Sequence, residues 1–409
     1  MFKNILIISS DFTGHGHKSI TESLCEFFSE DKNINVHVVD GFSLGGKALL
    51  SVGKAYGPIT RVSKELWKFI WEASARKPEV VDEIIEFVIK DNLLELLRRT
   101  KPDLILSVHP NFNGSVINVL NKYNIKIPFI TLIADLVSIY PLWADSRVDY
   151  IISPTEEAKK KCIEYGVSES KIKVLGFPVR SRFLNNVEFY EEETNYNSEA
   201  SLKCLIMSGG EGVGNMSKIA KILLDNFNCT VKIVAGRNIT LRNKLEKFLG
   251  EKYGDRVEVY GFTKNVQDLM LASDIAFTRG SPNVMMEVIS CNIPLVITGA
   301  LPGQENGNPE FAQKYNLGVV CEKVSELKEV MENLVENNAE RLKEIKNSQK
   351  NFINSNVAKD IVNFILSIDI SGSNAAIPSR KPRYIFLHKN KIGSKFYTVN
   401  FRWLVSRNK

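Results

Sequence analysis

Gly280 to Asn308, GSPNVMMEVISCNIPLVITGALPGQENGN, reads as a β-strand exit, a tight turn, a helix opening on Ser281-Pro282-Asn283, an apolar strand and a polar Gly-Gln-Glu loop. A helix beginning at Ser281/Pro282 presents unpaired backbone N–H groups and the positive end of its dipole to an anion. Glu287, five residues past Pro282, lies one turn into that helix, where a carboxylate accepts hydrogen bonds from ribose hydroxyls. The strand Pro294 to Ile297 then runs into a loop whose Gln304, Glu305 and Asn308 face sugar hydroxyls, the usual ligand position in an open α/β sheet. Together these features describe a nucleotide-sugar site. An ordinary βαβ unit carries the same local pattern, so the segment by itself leaves both readings open.

Outward from it, short apolar runs alternate with longer amphipathic segments, the mark of parallel sheets covered by helices. Strands are expected at Ile5–Ile8, Val36–Val39, Leu104–Ser107, Phe129–Ile133, Tyr150–Ile152 and Ile172–Leu175. A second series follows at Cys204–Met207, Val231–Ala235, Val257–Tyr260, Ile275–Thr278, Leu295–Ile297 and Val319–Cys321. Between them, 185–200 holds five glutamates among Asn, Ser and Tyr and reads as an acidic linker or loop. The expected organisation is an α/β chain of two doubly wound domains, 1–184 and 201–350, facing across a cleft. Residues 351–370 form a C-terminal helix positioned to return to the first domain, and 371–409 form a tail.

That tail carries nine Lys/Arg and no Asp or Glu, while the whole chain of 409 residues has 53 basic and 47 acidic side chains. The net charge of +6 therefore belongs to the tail. Its basic residues are interleaved with aromatics, as suits an anionic membrane surface; a solvated tail or a strand pair packed on the body gives the same composition. Nucleic acid is not an expected partner. The six cysteines (Cys25, Cys162, Cys204, Cys229, Cys291, Cys321) show neither C-x-x-C nor metal-ligand spacing and read as buried thiols of a reducing compartment. No apolar run is long enough for a membrane span, so the expected location is cytoplasmic, peripheral to the inner face of the cell membrane.

Two glycine clusters mark the candidate chemistry. The first strand runs into Thr13-Gly14-His15-Gly16-His17, where Gly14 and Gly16 let the backbone come close to a ligand. A helix N-terminus disfavours a histidine cation, leaving the imidazole free to accept a proton. His17 is the candidate base and His15 a cap. The second cluster, Ser208-Gly209-Gly210-Glu211-Gly212-Val213-Gly214, has no Walker lysine-serine pair, and its bare backbone suits a diphosphate. Asp135, at a strand's carboxyl end, orients either the base or an acceptor hydroxyl, or merely caps a turn. His109 stands on the same rim. The stretch KELWKFIWEASARKP, Lys64 to Pro78, carries more aromatics than one buried stripe needs, so Trp67 and Trp71 are candidates for dipping into a bilayer, with core packing the competing reading.

Taken in order, the chain resembles the processive diacylglycerol glucosyltransferase and monogalactosyldiacylglycerol synthase family, relatives of the peptidoglycan lipid-intermediate N-acetylglucosaminyltransferase. The resemblance rests on Thr13-Gly-His-Gly-His, Ser107-Val-His-Pro, Ala134-Asp135 with Trp143, Gly176-Phe-Pro-Val, Met207-Ser-Gly-Gly-Glu-Gly-Val-Gly, Ala235-Gly-Arg-Asn, Gly261-Phe, Ser281-Pro with Glu287, and Gly303-Gln-Glu-Asn-Gly-Asn. It implies a GT-B fold of two Rossmann-like domains, a UDP-sugar donor in the second, and a diacylglycerol or glycolipid acceptor reached from an anionic membrane by the first. It further implies inversion at the anomeric carbon with no metal and no cofactor, in keeping with the lack of a D-x-D motif. Carried over by residue, His17 is the candidate base, with Asp135 supporting it or the acceptor, while Gly209, Gly210 and Gly212 face the diphosphate and Phe262 meets the uracil. Ser281, Pro282 and Glu287 then hold phosphate and ribose, and Gln304/Glu305 the transferred sugar; Gly14, Gly16, His109, Tyr140, Trp67 and Trp71 line the acceptor and membrane side. The chain departs from the family at Tyr140, where a histidine is usual, and at Asn283, where glycine is usual. Transfer of N-acetylglucosamine to an undecaprenyl-linked precursor and a weakened UDP-sugar sensor are the alternative readings.

Overall fold

The computed structural model describes residues 3–11, 15–62, 64–184, 201–207 and 215–371. The expected linker 185–200 and the tail beyond Ser371 lie outside the described residues.

The first domain is built on strands β1 (Lys3–Ser9), β2 (Ile34–Asp40), β3 (Leu104–Ser107), β4 (Phe129–Leu132), β5 (Tyr150–Ser153) and β6 (Ile172–Val174). The second uses β7 (Leu202–Met207), β8 (Cys229–Val234), β9 (Val257–Tyr260), β10 (Ile275–Thr278), β11 (Leu295–Ile297) and β12 (Gly318–Val320). The sheets run β2-β1-β3-β4-β5-β6 and β12-β11-β10-β7-β8-β9, and every pairing is parallel. Parallel strands are covered on both faces, so their sequences are continuous apolar runs rather than alternating ones. Ile5 to Ile8 of β1 are all buried for that reason. All twelve expected strands are present, with ends shifted by a few residues.

The helices of the first domain are α1 (Gly16–Phe28), α2 (Gly41–Leu44), α3 (Gly46–Val62), α4 (Lys64–Ala75), α5 (Pro78–Thr100), α6 (Asn113–Lys122) and α7 (Glu156–Glu164). Those that follow are α8 (Met216–Asn226), α9 (Ile239–Tyr253), α10 (Val266–Leu271), α11 (Pro282–Ser290), α12 (Asn308–Lys314), α13 (Leu327–Phe352) and α14 (Val357–Ser367). Local chemistry fixes their ends. Pro78 opens α5 at a position that needs no N–H, and the left-handed Lys101 (φ 42°) closes it after Arg98 and Arg99. Thr155 caps α7 by accepting the N–H of Ala158 at 3.0 Å, ahead of Glu156 and Glu157 in the first turn. Past Leu327 the chain is helical in three pieces: α13 breaks at 336–339, where Asn337, Asn338 and Ala339 have positive φ, and α14 falls within the 351–370 expected for a C-terminal helix.

Helix α14 leaves the second domain and lies on the first. Its Ile361, Val362 and Ile365 are buried in the core that also holds Leu24 and Phe28 of α1, Phe364 meets Tyr150 edge-on, and Lys3 Nζ donates to the Leu366 carbonyl at 2.5 Å. In each sheet the strand order reverses once, between β1 and β3 and between β10 and β7, and ligands of open α/β sheets bind outside the carboxyl ends at such points. The two reversals face each other across the cleft. This is the GT-B arrangement.

Candidate active site

At the first reversal, β1 leads to Ser10 and Asp11, and α1 begins at Gly16. Residues 12–14 lie outside the described residues, so the expectation for Gly14 does too. His15 caps α1 in a left-handed conformation (φ 64°), and its carbonyl accepts the Ser19 N–H at 2.9 Å. A side chain at Gly16 would place a Cβ 2.4 Å from Asn283 Nδ2, so the bare α-carbon lets the starts of α1 and α11 meet across the cleft.

His17 is half-buried on the first turn of α1, with Nδ1 2.5 Å from the Val108 carbonyl at the end of β3. A carbonyl only accepts, so this bond assigns the proton to Nδ1 and leaves the Nε2 lone pair available. Burial lowers its pKa from the ordinary 6.5 to about 4, against a smaller raising effect of the Val108 carbonyl. His109 packs 4.5 Å behind it. It does not line the acceptor rim as expected: it is buried, its Nδ1 accepts the Asn111 N–H at 3.3 Å, and it meets Phe42 edge-on, so it forms the wall that orients His17.

One prediction follows from the sign of the His17 shift. Its folded pKa lies below its unfolded value, so the stability it contributes is present above about pH 6.5 and is lost as pH falls from there toward about 4. An NMR titration of the His17 ring is expected to give a midpoint near pH 4, and a midpoint above 6 contradicts the burial argument.

Asp135, at the β4 exit, is buried and accepts from Trp143 Nε1 at 2.8 Å and from Gln304 Nε2 at 3.2 Å. Burial raises its pKa to about 6 despite those two donors. The Trp143 ring also lies 6.1 Å from His17, so Asp135 reaches the base through the indole, while Gln304 ties it to the second domain.

On the second domain, Ser281 is the extended residue before α11 and Pro282 its first position; Ser281 makes no side-chain cap, and its N–H donates to the Arg279 carbonyl at 2.7 Å. Glu287 is 7% exposed. Its Oε1 accepts from Arg180 at 2.6 Å and from Ser19 Oγ at 3.1 Å, both on the first domain, and Arg180 also pairs with Glu22 at 3.1 Å. Phe262 is 54% exposed, flanked by His15 at 5.9 Å and by the Arg237 guanidinium at 5.1 Å. Gly209, Gly210 and Gly212 lie outside the described residues.

Three expectations are corrected. Glu305 is 2% exposed and does not face the cleft: its Oε2 accepts the Leu301 N–H at 2.7 Å and pairs with Arg279 at 2.9 Å, bracing its own loop. Tyr140 is buried, 4.4 Å from Trp71, and so is no acceptor-rim group. Trp71 in turn lies under the Gly303 loop, where a Cβ would stand 2.6 Å from its ring, and Trp67 packs 6.0 Å from it. Trp71 thus seals α4 to the second domain, and Trp67 packs behind it, instead of the pair dipping into lipid. The exposed apolar side chains lie elsewhere on α4 and α5: Phe69 (68%), Ile70, Val80, Ile84 and Phe87 (79%).

Arg180 and Ser19, which hold Glu287, went unread in the sequence, although Arg180 directly follows Gly176-Phe-Pro-Val and Ser19 lies two positions after His17. Trp143 was visible only as a landmark, not as the link between Asp135 and the base.

Comparison with known proteins adds to this geometry. Residues 17–179 match the family model described as monogalactosyldiacylglycerol (MGDG) synthase, and 215–364 match that of the glycosyltransferase family 28 C-terminal domain. The chain is 29% identical over 336 residues to the probable monogalactosyldiacylglycerol synthase 2, chloroplastic, of Oryza sativa subsp. japonica, covering 78% of this chain and 70% of that one. It is 26% identical over 389 residues to monogalactosyldiacylglycerol synthase 3, chloroplastic, of Arabidopsis thaliana, covering 88% and 80%. Among solved structures, MurG of Acinetobacter baumannii superposes with a TM-score of 0.61 at 10% identity over 90% of this chain and all of that one, a likeness of fold.

Proposed function

Because the chain belongs to the monogalactosyldiacylglycerol synthase family of GT-B glycosyltransferases, we propose that it moves a hexose from a UDP-sugar to the hydroxyl of diacylglycerol, or of a glycosyl-diacylglycerol, with inversion at a membrane surface. His17 Nε2 takes the proton of the acceptor hydroxyl as that oxygen attacks the anomeric carbon from the face opposite the leaving group. The bond from that carbon to the UDP oxygen breaks, and its electron pair leaves with UDP. Backbone N–H groups at the start of α11 meet the developing charge, a task that the resemblance also gives to Gly209, Gly210 and Gly212, with no resident metal or cofactor. Phe262 receives the base, Glu287 the ribose, and Gln304 the transferred sugar.

The observation that carries this reading is the His17 bond to the Val108 carbonyl, which leaves a neutral Nε2 lone pair on the first turn of α1, the helix whose start meets that of α11. It is tested by incubating the protein with UDP-glucose or UDP-galactose and diacylglycerol vesicles. Glycosyl-diacylglycerol of β configuration supports it, and free UDP binding without a lipid product overturns it.

The exposed face of α4 and α5 supports action at a membrane, at the inner face of the cell membrane, with the basic tail as a second contact to anionic lipid. Among the described residues no helix is long and apolar enough to cross a bilayer. Replacing Phe69 and Phe87 with glutamate is expected to weaken vesicle binding by at least about tenfold, the effect of withdrawing two aromatic side chains from lipid. Flotation with an unchanged fraction bound contradicts this face.

A further inference from the structure

We propose that Asn283, at the start of α11, is a leaving-group residue, whose side-chain amide donates to the β-phosphate of the UDP donor as the sugar departs. This rests on the UDP-sugar reading above.

The backbone at this helix start has few donors to offer. Ser281 gives its N–H to the Arg279 carbonyl at 2.7 Å, Pro282 has none, and Met285 gives its own to the Ser281 carbonyl at 2.9 Å. Among the described residues, the N–H groups of Asn283 and Val284 are those left at this start to meet an anion. The glycine usual at position 283 adds nothing to that pair, whereas asparagine adds an amide with two N–H groups.

Where that amide lies decides what it touches. Its Nδ2 stands 2.4 Å from the point a Cβ on Gly16 would occupy, with Cγ at 3.3 Å, so the side chain crosses the cleft and rests on the bare backbone of α1. His17 is the next residue along that backbone. Asn283 is half-buried, and its amide makes no hydrogen bond among the described residues. Packing alone holds it, between the anion site of α11 and the turn that carries the base.

The surrounding charge suits an anion. Burial, and then Arg237, Lys18 and Arg180, lower the His15 pKa to about 4 against the opposing pull of Asp11, so cations from both domains converge where the two helices start. The acid of α11, Glu287, already commits Oε1 to Arg180 and Ser19. A diphosphate lying between α11 and α1 turns its sugar-bearing β-phosphate toward the base, the side on which Asn283 stands. As the acceptor oxygen bonds to the anomeric carbon, the bond from that carbon to the β-phosphate oxygen breaks and its electron pair stays on UDP. The amide hydrogen-bonds the phosphate that gains this charge and transfers no proton.

The test is calorimetric binding of UDP, and of UMP, which lacks the β-phosphate, to the full chain and to its Asn283→Gly and Asn283→Asp variants. Asn283→Gly is expected to weaken UDP about tenfold, the worth of one hydrogen bond to a charged group, and to leave UMP unchanged. Asn283→Asp keeps the side chain's shape and suits a helix first turn, so it preserves α11 should glycine fray it. Its carboxylate is expected to weaken UDP further, with a smaller effect on UMP. Unchanged UDP affinity in both variants overturns the proposal. So does an equal loss of UDP and UMP, which makes Asn283 a packing residue over Gly16. A wild type that binds neither nucleotide sinks the donor reading, and this proposal with it.

Discussion

Replacing His17 with alanine is expected to lower kcat for sugar transfer about 10²- to 10⁴-fold, the usual worth of a positioned general base, with little change in affinity for UDP. The selectivity of that loss follows from the bonding. His17 commits Nδ1 to the Val108 carbonyl, so Nε2 is the nitrogen left to take a proton, and among the described residues the ring packs against His109 and Trp143 rather than against the donor side. His17→Gln preserves a donor to Val108 but offers no basic nitrogen, so it is expected to resemble alanine in rate while keeping more stability. Single-turnover rates with a fixed donor and calorimetric UDP binding separate these. A variant that keeps a tenth or more of the wild-type rate removes His17 from the role of base.

The second large effect is expected at Glu287. Its carboxylate lies between the domains, gripped by Arg180 and Ser19, with side chains only 9% and 15% exposed for Glu287 and Arg180. Removing one partner of so buried a pair leaves the other charged and poorly solvated, so Glu287→Ala is expected to cost about 2–4 kcal/mol of stability, read as a lowered urea midpoint. It also removes the proposed ribose acceptor, and UDP affinity should fall about tenfold or more. A cycle with Arg180→Ala divides the two effects. The stability cost of Glu287→Ala should shrink sharply once Arg180 is gone, because no stranded cation remains, while the UDP deficit persists. Equal costs in both backgrounds would show that the ion pair does not couple the domains.

The strands were legible in the sequence because a parallel strand is buried on both faces and writes itself as an uninterrupted apolar run, as Leu104–Ser107 and Leu295–Ile297 do. Helix starts were legible where the chain must bend, at Gly16 and at Ser281-Pro282. What could not be read was direction. Trp71, Tyr140 and Glu305 have residue types that serve equally at a rim and in a seam, and their fate is set by partners far along the chain: Gly303 for Trp71, Arg279 for Glu305. Phe69 and Phe87 show the reverse, since their exposure depends on how α4 and α5 lie against each other rather than on either helix alone. Arg180 was missed for a related reason. An arginine after a strand exit is usually solvated, and only the approach of α11 turns it into an interdomain clamp.

The lodging of α14 on the first domain has a consequence for biosynthesis. Chains emerge from the ribosome amino end first, and a domain generally folds as soon as it is complete. Here the first domain is not complete when its sixth strand appears, because the groove beside α1 is closed by Ile361 and Ile365 and the Lys3 ammonium by Leu366. That groove therefore stays greasy and open during translation of nearly two hundred further residues, and a nascent chain stalled before α14 should be held by a chaperone that the finished protein no longer engages.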